Sequence, residues 1–234
     1  MKRCLLLLAF LFPAVSPLFA QEETGKPVRE IQKPSRDFVM LQFTYNSWQD
    51  KPDSIKTTGV GRGFNAYLCY DFPIKKSSFS FAAGLGISTS NIYFKDQELR
   101  FADTGAAGAQ LGFAPESKSY KRYKLTTAYL EAPFELRYFG NKKNRNRGFK
   151  AAVGLKVGTI VGAHTKGRYT VEGTKFTDKM NTRRYFENWS FAGTARLGWG
   201  NFSVIGTYNL TNLFKDGQGP AVVPYSIGIC LTGL

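Results

Sequence analysis

Residues 149–161 read FKAAVGLKVGTIV, a stretch in which apolar residues alternate with small or charged ones. Phe149, Val153 and Val157 fall in the apolar set, whereas Lys150 and Lys156 fall in the opposite set. An amphipathic helix would instead group apolar residues three and four positions apart, without strict alternation. Since successive side chains of a strand point to opposite faces, the stretch predicts a β-strand with one apolar and one polar face.

The same period of two recurs along most of the chain. In 38–48, for example, Val39, Leu41 and Phe43 alternate with Gln42 and Thr44. The eight candidate strands lie at 38–48, 64–72, 79–88, 130–138, 149–161, 189–199, 202–210 and 225–232. Most have the length of about 10 residues that a tilted strand needs to cross a bilayer.

The connections between candidate strands alternate in length. Those at 73–78, 140–148 and 200–201 are short, those at 49–60, 95–122 and 165–184 are long, and 211–221 is intermediate. Short periplasmic turns and long outer loops are typical of outer-membrane barrels, although a soluble sandwich or a lipocalin-like barrel also alternates. The sequence predicts an all-β fold, an eight-stranded antiparallel transmembrane β-barrel over residues 38–234.

Aromatic residues recur near the strand ends, as expected of the girdles that flank the apolar band of a membrane barrel. The pairs are Tyr45 with Trp48, Tyr70 with Phe72, Tyr138 with Phe139, and Trp199 with Phe202. We expect these side chains to face outward at the two membrane interfaces.

The start of the chain has the order of regions that a secretory signal peptide has. Lys2 and Arg3 precede an apolar run at 4–15, and residues 16–20 form a candidate cleavage region before Gln21. The run is too short to span a membrane comfortably, which argues against an anchor. We therefore predict a signal peptide at 1–20, a periplasmic tail at 21–37, and an exported protein integral to the outer membrane.

The polar face of the strands would line the barrel interior, which in an eight-stranded barrel is wide enough only for side chains. The charged residues on this face are Glu131, Glu135, Arg137, Lys150, Lys156 and Arg196. The pairing of neighbouring strands places Lys156 near Glu131 and Arg196 near Glu135, and buried charges need such partners. The interior is either a packed plug of ion pairs or a narrow, gated polar pore.

The composition and net charge limit the classes of binding partner. The chain of 234 residues is 43% hydrophobic and 15% aromatic, which excludes disorder as its main state, and its net charge of +15 favours anionic partners. Export excludes nucleic acid, which leaves outer-membrane lipids, lipopolysaccharide phosphate or an acidic periplasmic protein. A predicted basic rim at the periplasmic turns consists of Lys75, Lys76, Lys142, Lys143, Arg145 and Arg147. The rim is alternatively a solvated edge without a partner.

Signals for catalysis are weak, and no cofactor or metal site is expected. His164 is the single histidine and lacks a neighbouring nucleophile pattern, so we interpret it as a rim residue. Cys69 and Cys230 face inward on strands separated by a third strand, which favours thiols over a disulfide. Pro133 lies inside a candidate strand, where its missing amide hydrogen predicts a β-bulge.

Three segments resemble a known family. Residues 129–138 read YLEAPFELRY, residues 208–213 read YNLTNL, and residues 225–229 read YSIGI. They resemble recurrent segments of the small PorT-like outer-membrane β-barrels of Bacteroidota, and the similarity covers most of the chain after residue 20. The namesake of that family is an accessory of type IX protein secretion, and the resemblance brings no catalytic residues.

Two classes of function follow. The leading hypothesis is a non-enzymatic outer-membrane barrel, PorT-like, that supports protein secretion or envelope assembly through its loops, turns or tail, with a secretion-machinery or periplasmic partner. The alternative is a small transport barrel or a surface barrel for ligand binding or adhesion. A barrel enzyme acting on lipopolysaccharide is disfavoured by the isolated His164.

Overall fold

The computed structural model describes residues 38–75, 77–101, 110–141 and 147–233. The predicted signal peptide and periplasmic tail lie outside the described residues, and so do Lys76, Lys142, Lys143 and Arg145 of the predicted basic rim. The strands are β1 (Val39–Gln49), β2 (Arg62–Pro73), β3 (Phe79–Phe94), β4 (Gln97–Phe101), β5 (Leu111–Pro115), β6 (Tyr120–Phe139), β7 (Phe149–Val171), β8 (Thr174–Asn181), β9 (Trp189–Trp199), β10 (Phe202–Asn209) and β11 (Val223–Thr232). Within the described ranges, no helix is long and apolar enough to cross a membrane.

Eight strands close into an antiparallel ring in the order β1, β2, β3, β6, β7, β9, β10 and β11, and β11 pairs back to β1. Pairing of β6 with β7 completes the ring, so the ring itself has no open sheet edge. The all-β, eight-stranded antiparallel barrel predicted from the alternation is confirmed.

The wall of the ring has a polar or small inner face and an apolar outer face. On β7, Ala152 and Lys156 are buried, whereas Val153 and Leu155 are 60% and 57% exposed. Exposed aliphatic and aromatic residues recur on the outer face of every strand of the ring. A water-soluble monomer rarely exposes so much contiguous apolar surface, and a membrane barrel requires it.

Two of the expected girdle residues face inward instead. Trp48 and Phe139 are 7% and 3% exposed, whereas Tyr45 and Trp199 lie on the outer face. The reason is the period of two, because Trp48 lies three residues after Tyr45 and Phe139 directly follows Tyr138. The two members of each pair must therefore leave opposite faces of the strand.

The two ends of the barrel differ in their connections. We call the end with the connections at 74–78, 140–148 and 200–201 the turn end, and the opposite end the loop end. Two of the expected long loops are wrong in part, because β4 and β5 form a hairpin within 95–122, and the end of β7 and all of β8 lie within 165–184. The apolar pattern stops at these places, but the strands continue with charged residues.

Beyond the apolar part of the wall, β6, β7 and β8 continue as one antiparallel sheet. β8 pairs only with β7, from His164 opposite Asn181 to Val171 opposite Thr174. We call residues 120–126, 164–171 and 174–181 the projecting sheet.

The predicted β-bulge at Pro133 is wrong. Ala83 pairs with Phe134 and Gly86 pairs with Glu131, so the register between β3 and β6 is the same on both sides of the proline. The pairing is interrupted only between these two positions. A missing amide hydrogen removes one ladder bond, and the intact neighbours keep the strands aligned.

A bulge lies in β7 instead. Ala128 pairs with Gly162, but Tyr129 pairs with Ile160, so Val161 is the extra residue. Because one residue is inserted, the buried residues of β7 are even-numbered before the bulge and odd-numbered after it. The bulge lies close to the point where the apolar wall ends and the projecting sheet begins.

Candidate functional site

Charged side chains enter the barrel interior from four strands. They are Asp71 on β2, Glu131, Glu135 and Arg137 on β6, Lys150 and Lys156 on β7, and Arg196 on β9. All of these side chains are buried, including the six that the sequence placed on the polar face. Because an unpaired buried charge is costly, the arrangement of these groups bears directly on the stability of the barrel.

The first group of ion pairs lies near the turn end. Arg137 contacts two carboxylates, with Nη1 2.7 Å from Asp71 Oδ1 and Nε 2.7 Å from Glu135 Oε2. Arg196 Nη2 lies 3.0 Å from the same Glu135 oxygen, so Glu135 bridges the two guanidinium groups. The structure thus brings together Arg196 and Glu135, and it adds Asp71 to the residues considered from the sequence.

The second group lies closer to the middle of the wall. Lys156 Nζ lies 3.1 Å from Glu131 Oε2, and that oxygen also accepts a 2.5 Å hydrogen bond from the Tyr67 hydroxyl. The other oxygen of Glu131 accepts a hydrogen bond of 2.7 Å from Ser88 Oγ. Both carboxylate oxygens are therefore satisfied, which a buried carboxylate requires. Gly86 leaves space for the Tyr67 ring, because a Cβ there would lie 2.5 Å from Tyr67 Cδ1.

Lys150 is a further buried cation, near the turn end. Its Nζ lies 3.5 Å from Thr232 Oγ1 and 5.6 Å from the centre of the Phe139 ring. The inward position of Phe139 thus gives this lysine an aromatic neighbour, and cation–π contacts of this kind are favourable when the ring is buried.

Sequence reasoning overlooked three participants, Asp71, Tyr67 and Ser88. A signal for the first two was present, because Tyr67, Cys69 and Asp71 share one face of β2. Ser88 falls on the inner face of β3 in the same way. Counting every polar residue on the inner faces, rather than the charged residues of the later strands alone, would have found all three.

The two cysteines lie in a small apolar cluster beside the ion pairs. Cys69 and Cys230 are both buried thiols, and they pack with Met40, Tyr67 and Ile205. The sequence-based prediction of two thiols rather than a disulfide agrees with this arrangement.

A small polar cavity lies next to the Glu131–Lys156 pair, on its loop-end side. Its volume is about 70 Å³, and its lining includes the polar side chains Thr44, Asn65 and Ser190. Since one water molecule needs roughly 10–15 Å³ of such space, the cavity has room for only a few waters.

An apolar cluster occupies the loop end of the barrel, and we call it the apolar cap. Its members are Trp48, Ile55, Ile92, Phe94, Leu99, Leu111, Tyr123, Leu125, Ile160, Ala163, Tyr185, Phe186, Leu213, Phe214 and Val222. The Trp48 ring centre lies 5.7 Å from that of Phe94 and 6.1 Å from that of Phe214. Because Ile55, Phe214 and others come from the connections, these connections fold inward over the strands.

His164 lies on the outward face of the projecting sheet. It is directly opposite Thr126 of β6 and Asn181 of β8. Burial and three neighbouring lysines lower the pKa of its imidazole below the ordinary value, so the ring is neutral at pH 7.

The predicted basic rim is described at two positions only. Lys75 lies in the connection between β2 and β3, and Arg147 lies just before β7; both are exposed at the turn end. The other four rim residues lie outside the described ranges, so the rim as a surface stays a prediction.

A family assignment agrees with this architecture. Residues 19–215 match the family described as outer membrane protein beta-barrel domain. The chain belongs to this family. The barrel is therefore an integral outer-membrane barrel, and its exposed apolar face is the face that meets lipid.

Solved barrels show distant similarity to the chain. Ail, the attachment invasion locus protein of Yersinia pestis, solved with the heparin analogue sucrose octasulfate, has 12% identity and a TM-score of 0.36 over 82% of this chain and 95% of that chain. Two mutants of the Rh. blastica porin have 7% identity and TM-scores of 0.21, over 82% of this chain and 98% of theirs. Comparison with curated proteins gives no match.

The described part of the barrel offers no metal centre. No group of three or more His, Cys, Asp or Glu side chains among these residues is placed to hold a metal ion. The charged groups of the interior neutralise one another, because its carboxylates lie within hydrogen-bond distance of guanidinium, ammonium or hydroxyl groups.

Replacing Lys156 with methionine should destabilise the folded barrel by about 3–5 kcal/mol, because Glu131 would stay buried without its cation. Urea unfolding in lipid vesicles, followed by tryptophan fluorescence, measures the change. The matched control is the double variant Lys156→Met with Glu131→Gln, which should regain much of the lost stability. A single variant as stable as the unmodified protein would contradict the ion-pair account.

Proposed function

We propose that this chain is a non-enzymatic outer-membrane barrel with a closed interior, which supports protein secretion or envelope assembly through the surfaces at its two ends. The observation that carries the proposal is the mutual pairing of the buried charges Asp71, Arg137, Glu135 and Arg196 near the turn end. A chain exported by a signal peptide at 1–20 would place its turn end in the periplasm and its loop end outside.

An ion crossing the interior would meet two obstacles in series. At the turn end it would have to separate Arg137 from carboxylates 2.7 Å away, and breaking buried pairs is costly. At the loop end it would have to pass the apolar cap, where Phe186 and Val222 have no exposed surface. The small cavity between these obstacles supports a packed interior rather than a pore.

Catalysis is not part of the proposal. A histidine that acts as a general base is commonly oriented by a carboxylate. The two residues directly opposite His164, Thr126 and Asn181, provide none.

A role in secretion rests on the resemblance to PorT-like barrels and on the basic rim. Lys75 and Arg147 are exposed at the turn end, and Lys76, Lys142, Lys143 and Arg145 are close to them in sequence. Such a rim suits phospholipid headgroups or an acidic protein of the secretion machinery in the periplasm. Type IX secretion is the pathway that the resemblance implies.

Purified protein inserted in a planar bilayer should give no steady conductance, because paired charges and the apolar cap close the interior. Single-channel recording measures this directly, with a known porin as the positive control. A stable open level in most insertions would exclude the closed-barrel proposal and favour a transport function.

Deletion of the gene should reduce the set of proteins that the cell secretes, and mass spectrometry of the culture medium measures that set. Re-expression of the unmodified chain should restore it. Re-expression of a variant with Lys75, Lys76, Lys142, Lys143, Arg145 and Arg147 changed to glutamine should not, if the rim binds the machinery. Unchanged secretion after deletion, together with altered adhesion, would reject the secretion role.

The second candidate function is surface binding of a ligand, and the projecting sheet favours it. β8 lies outside the ring and adds seven exposed residues and one half-buried residue to the loop end. A barrel that worked only as a membrane plug would not need this extension. Lipopolysaccharide is the outer-surface partner that the basic charge of this region suits.

A further inference from the structure

One face of the projecting sheet points away from the barrel interior. Directly opposite residues in an antiparallel sheet share a face, so the register identifies its members. They are the even-numbered residues of 122–126 on β6 and of 164–170 on β7, and the odd-numbered residues of 175–181 on β8. We call these positions the basic face.

The basic face contains cations in cross-strand rows. Lys124 is opposite Lys166, and Lys166 is opposite Lys179, so three lysines form one row across three strands. In the next row, Arg122 is opposite Arg168. None of the positions of the basic face carries Asp or Glu.

The single carboxylate of the projecting sheet lies on the reverse face. Asp178 Oδ2 is 2.8 Å from Lys118 Nζ, and the Tyr120 hydroxyl lies 3.3 Å from the same oxygen. The hydrogen bond from Lys118 lowers the pKa of the Asp178 carboxyl, which therefore stays ionised at neutral pH. The Asp178 carboxylate therefore pairs with Lys118 on the reverse face and does not pair with the cations of the basic face.

Aromatic contacts on the reverse face hold the sheet together. The Tyr169 ring centre lies 5.7 Å from that of Tyr120 and 5.5 Å from that of Phe176. These rings connect β6, β7 and β8, and such cross-strand aromatic pairs stabilise sheets. The reverse face thus supplies the packing, which leaves the basic face free for another task.

Rows of like charge are unfavourable in a sheet when they are directly opposite. Burial, followed by the positive charges of the neighbouring Lys166 and Arg168, lowers the pKa of the Lys124 ammonium group. The Lys124 Nζ contacts a neutral group, the Asn91 Oδ1 at 2.6 Å. A multivalent anion bound across the rows would turn this repulsion into attraction.

A hollow beside the arginine row has the composition of an anion site. Its volume is about 450 Å³, and its lining includes Lys121, Arg122, Arg168 and Lys175 together with the hydroxyl of Thr177. Guanidinium groups bind phosphate oxygens in a bidentate manner, and hydroxyl groups add hydrogen bonds.

The position of the basic face relative to the apolar wall points to the source of the anion. Val161 is an exposed aliphatic residue of β7 near the end of the wall, and Lys166 follows five residues later. At about 3.3 Å per residue, the lysine row lies roughly 17 Å further along the tilted strand. A row this far beyond the apolar wall would lie at the level of the polar, phosphorylated part of a glycolipid around the loop end, and long cationic side chains can reach sideways into such a layer.

We propose that the basic face binds the phosphate groups of the lipopolysaccharide that surrounds the barrel, with Lys124, Lys166 and Lys179 as one row of contacts and Arg122 and Arg168 as the next. The proposal rests on the second candidate function above, with the loop end facing outward, and it assigns the residues and the chemical groups through which lipopolysaccharide would bind. It does not depend on a role in secretion.

The test uses the full barrel in detergent and fluorescently labelled rough lipopolysaccharide, which carries lipid A and the phosphorylated inner core. The variant Lys124→Gln, Lys166→Gln and Lys179→Gln should bind at least about tenfold more weakly, since each cation near an anionic surface contributes to affinity. The matched control changes Lys51, Lys56 and Lys95 to glutamine, which removes the same charge from surface positions at the loop end that belong neither to the basic face nor to the basic rim. The control should bind like the unmodified chain.

Two further ligands distinguish the source of the phosphate. Dephosphorylated lipopolysaccharide should bind as weakly as the lysine variant does, and inorganic phosphate should compete only at concentrations far above that of the glycolipid. Equal losses in the two lysine variants, or equal binding of the dephosphorylated glycolipid, would overturn the proposal. Because purified lipopolysaccharide reaches both ends of a detergent-bound barrel, a wrong membrane orientation would leave this binding intact and would appear instead in labelling of whole cells.

Discussion

The narrowness of the barrel determines which side chains its interior can hold. Eight strands enclose a space that side chains fill, so each inward position must be small, apolar and packed, or polar and paired. Near the turn end, Glu135 lies between Arg137 and Arg196. In the middle, Glu131 uses both oxygens for Lys156, Tyr67 and Ser88. At the loop end the connections supply the apolar cap. A closed interior follows from these three layers, and the ends of the barrel are then the surfaces on which function depends.

The projecting sheet depends on the β-bulge in β7 rather than on the narrow interior. The bulge at Val161 changes which residues of β7 point inward, so the strand can leave the apolar wall and continue with a new pattern. Beyond it, the aromatic contacts of Tyr169 stabilise one face, while lysines and arginines occupy the other. The separation of packing and charge onto two faces is what makes the outward face available to a phosphate-bearing partner.

Much of the fold was predictable because the period of two is a local signal. The eight strands of the ring, their antiparallel order and the pairing partners of Lys156 and Arg196 all follow from it. The inward positions of Trp48 and Phe139 follow from the same period, and they were missed because aromatic residues near strand ends were assigned outward as a class. Asp71 was overlooked although its parity matched that of Tyr67.

Other features depend on contacts between distant segments, which a single sequence does not display. The apolar cap joins Ile55, Leu111 and Phe214 from three separate connections, and no local pattern links them. The bulge in β7 was not predictable from residue types, since Val161 continues the apolar alternation and the shift appears only in the pairing with β6. The continuation of β6 and β7 into a charged sheet was hidden for the same reason.

The most direct test of the closed interior is the accessibility of a cysteine placed inside it. In a chain whose native cysteines are changed to alanine, Thr44→Cys puts a thiol in the wall of the small polar cavity, and Thr177→Cys puts one on the exposed projecting sheet as the control. The folded barrel in lipid vesicles is treated with a small charged methanethiosulfonate, and mass spectrometry follows the modification. A closed interior should give rapid modification at position 177 and none at position 44 until the barrel is unfolded. Modification of both at similar rates would contradict it.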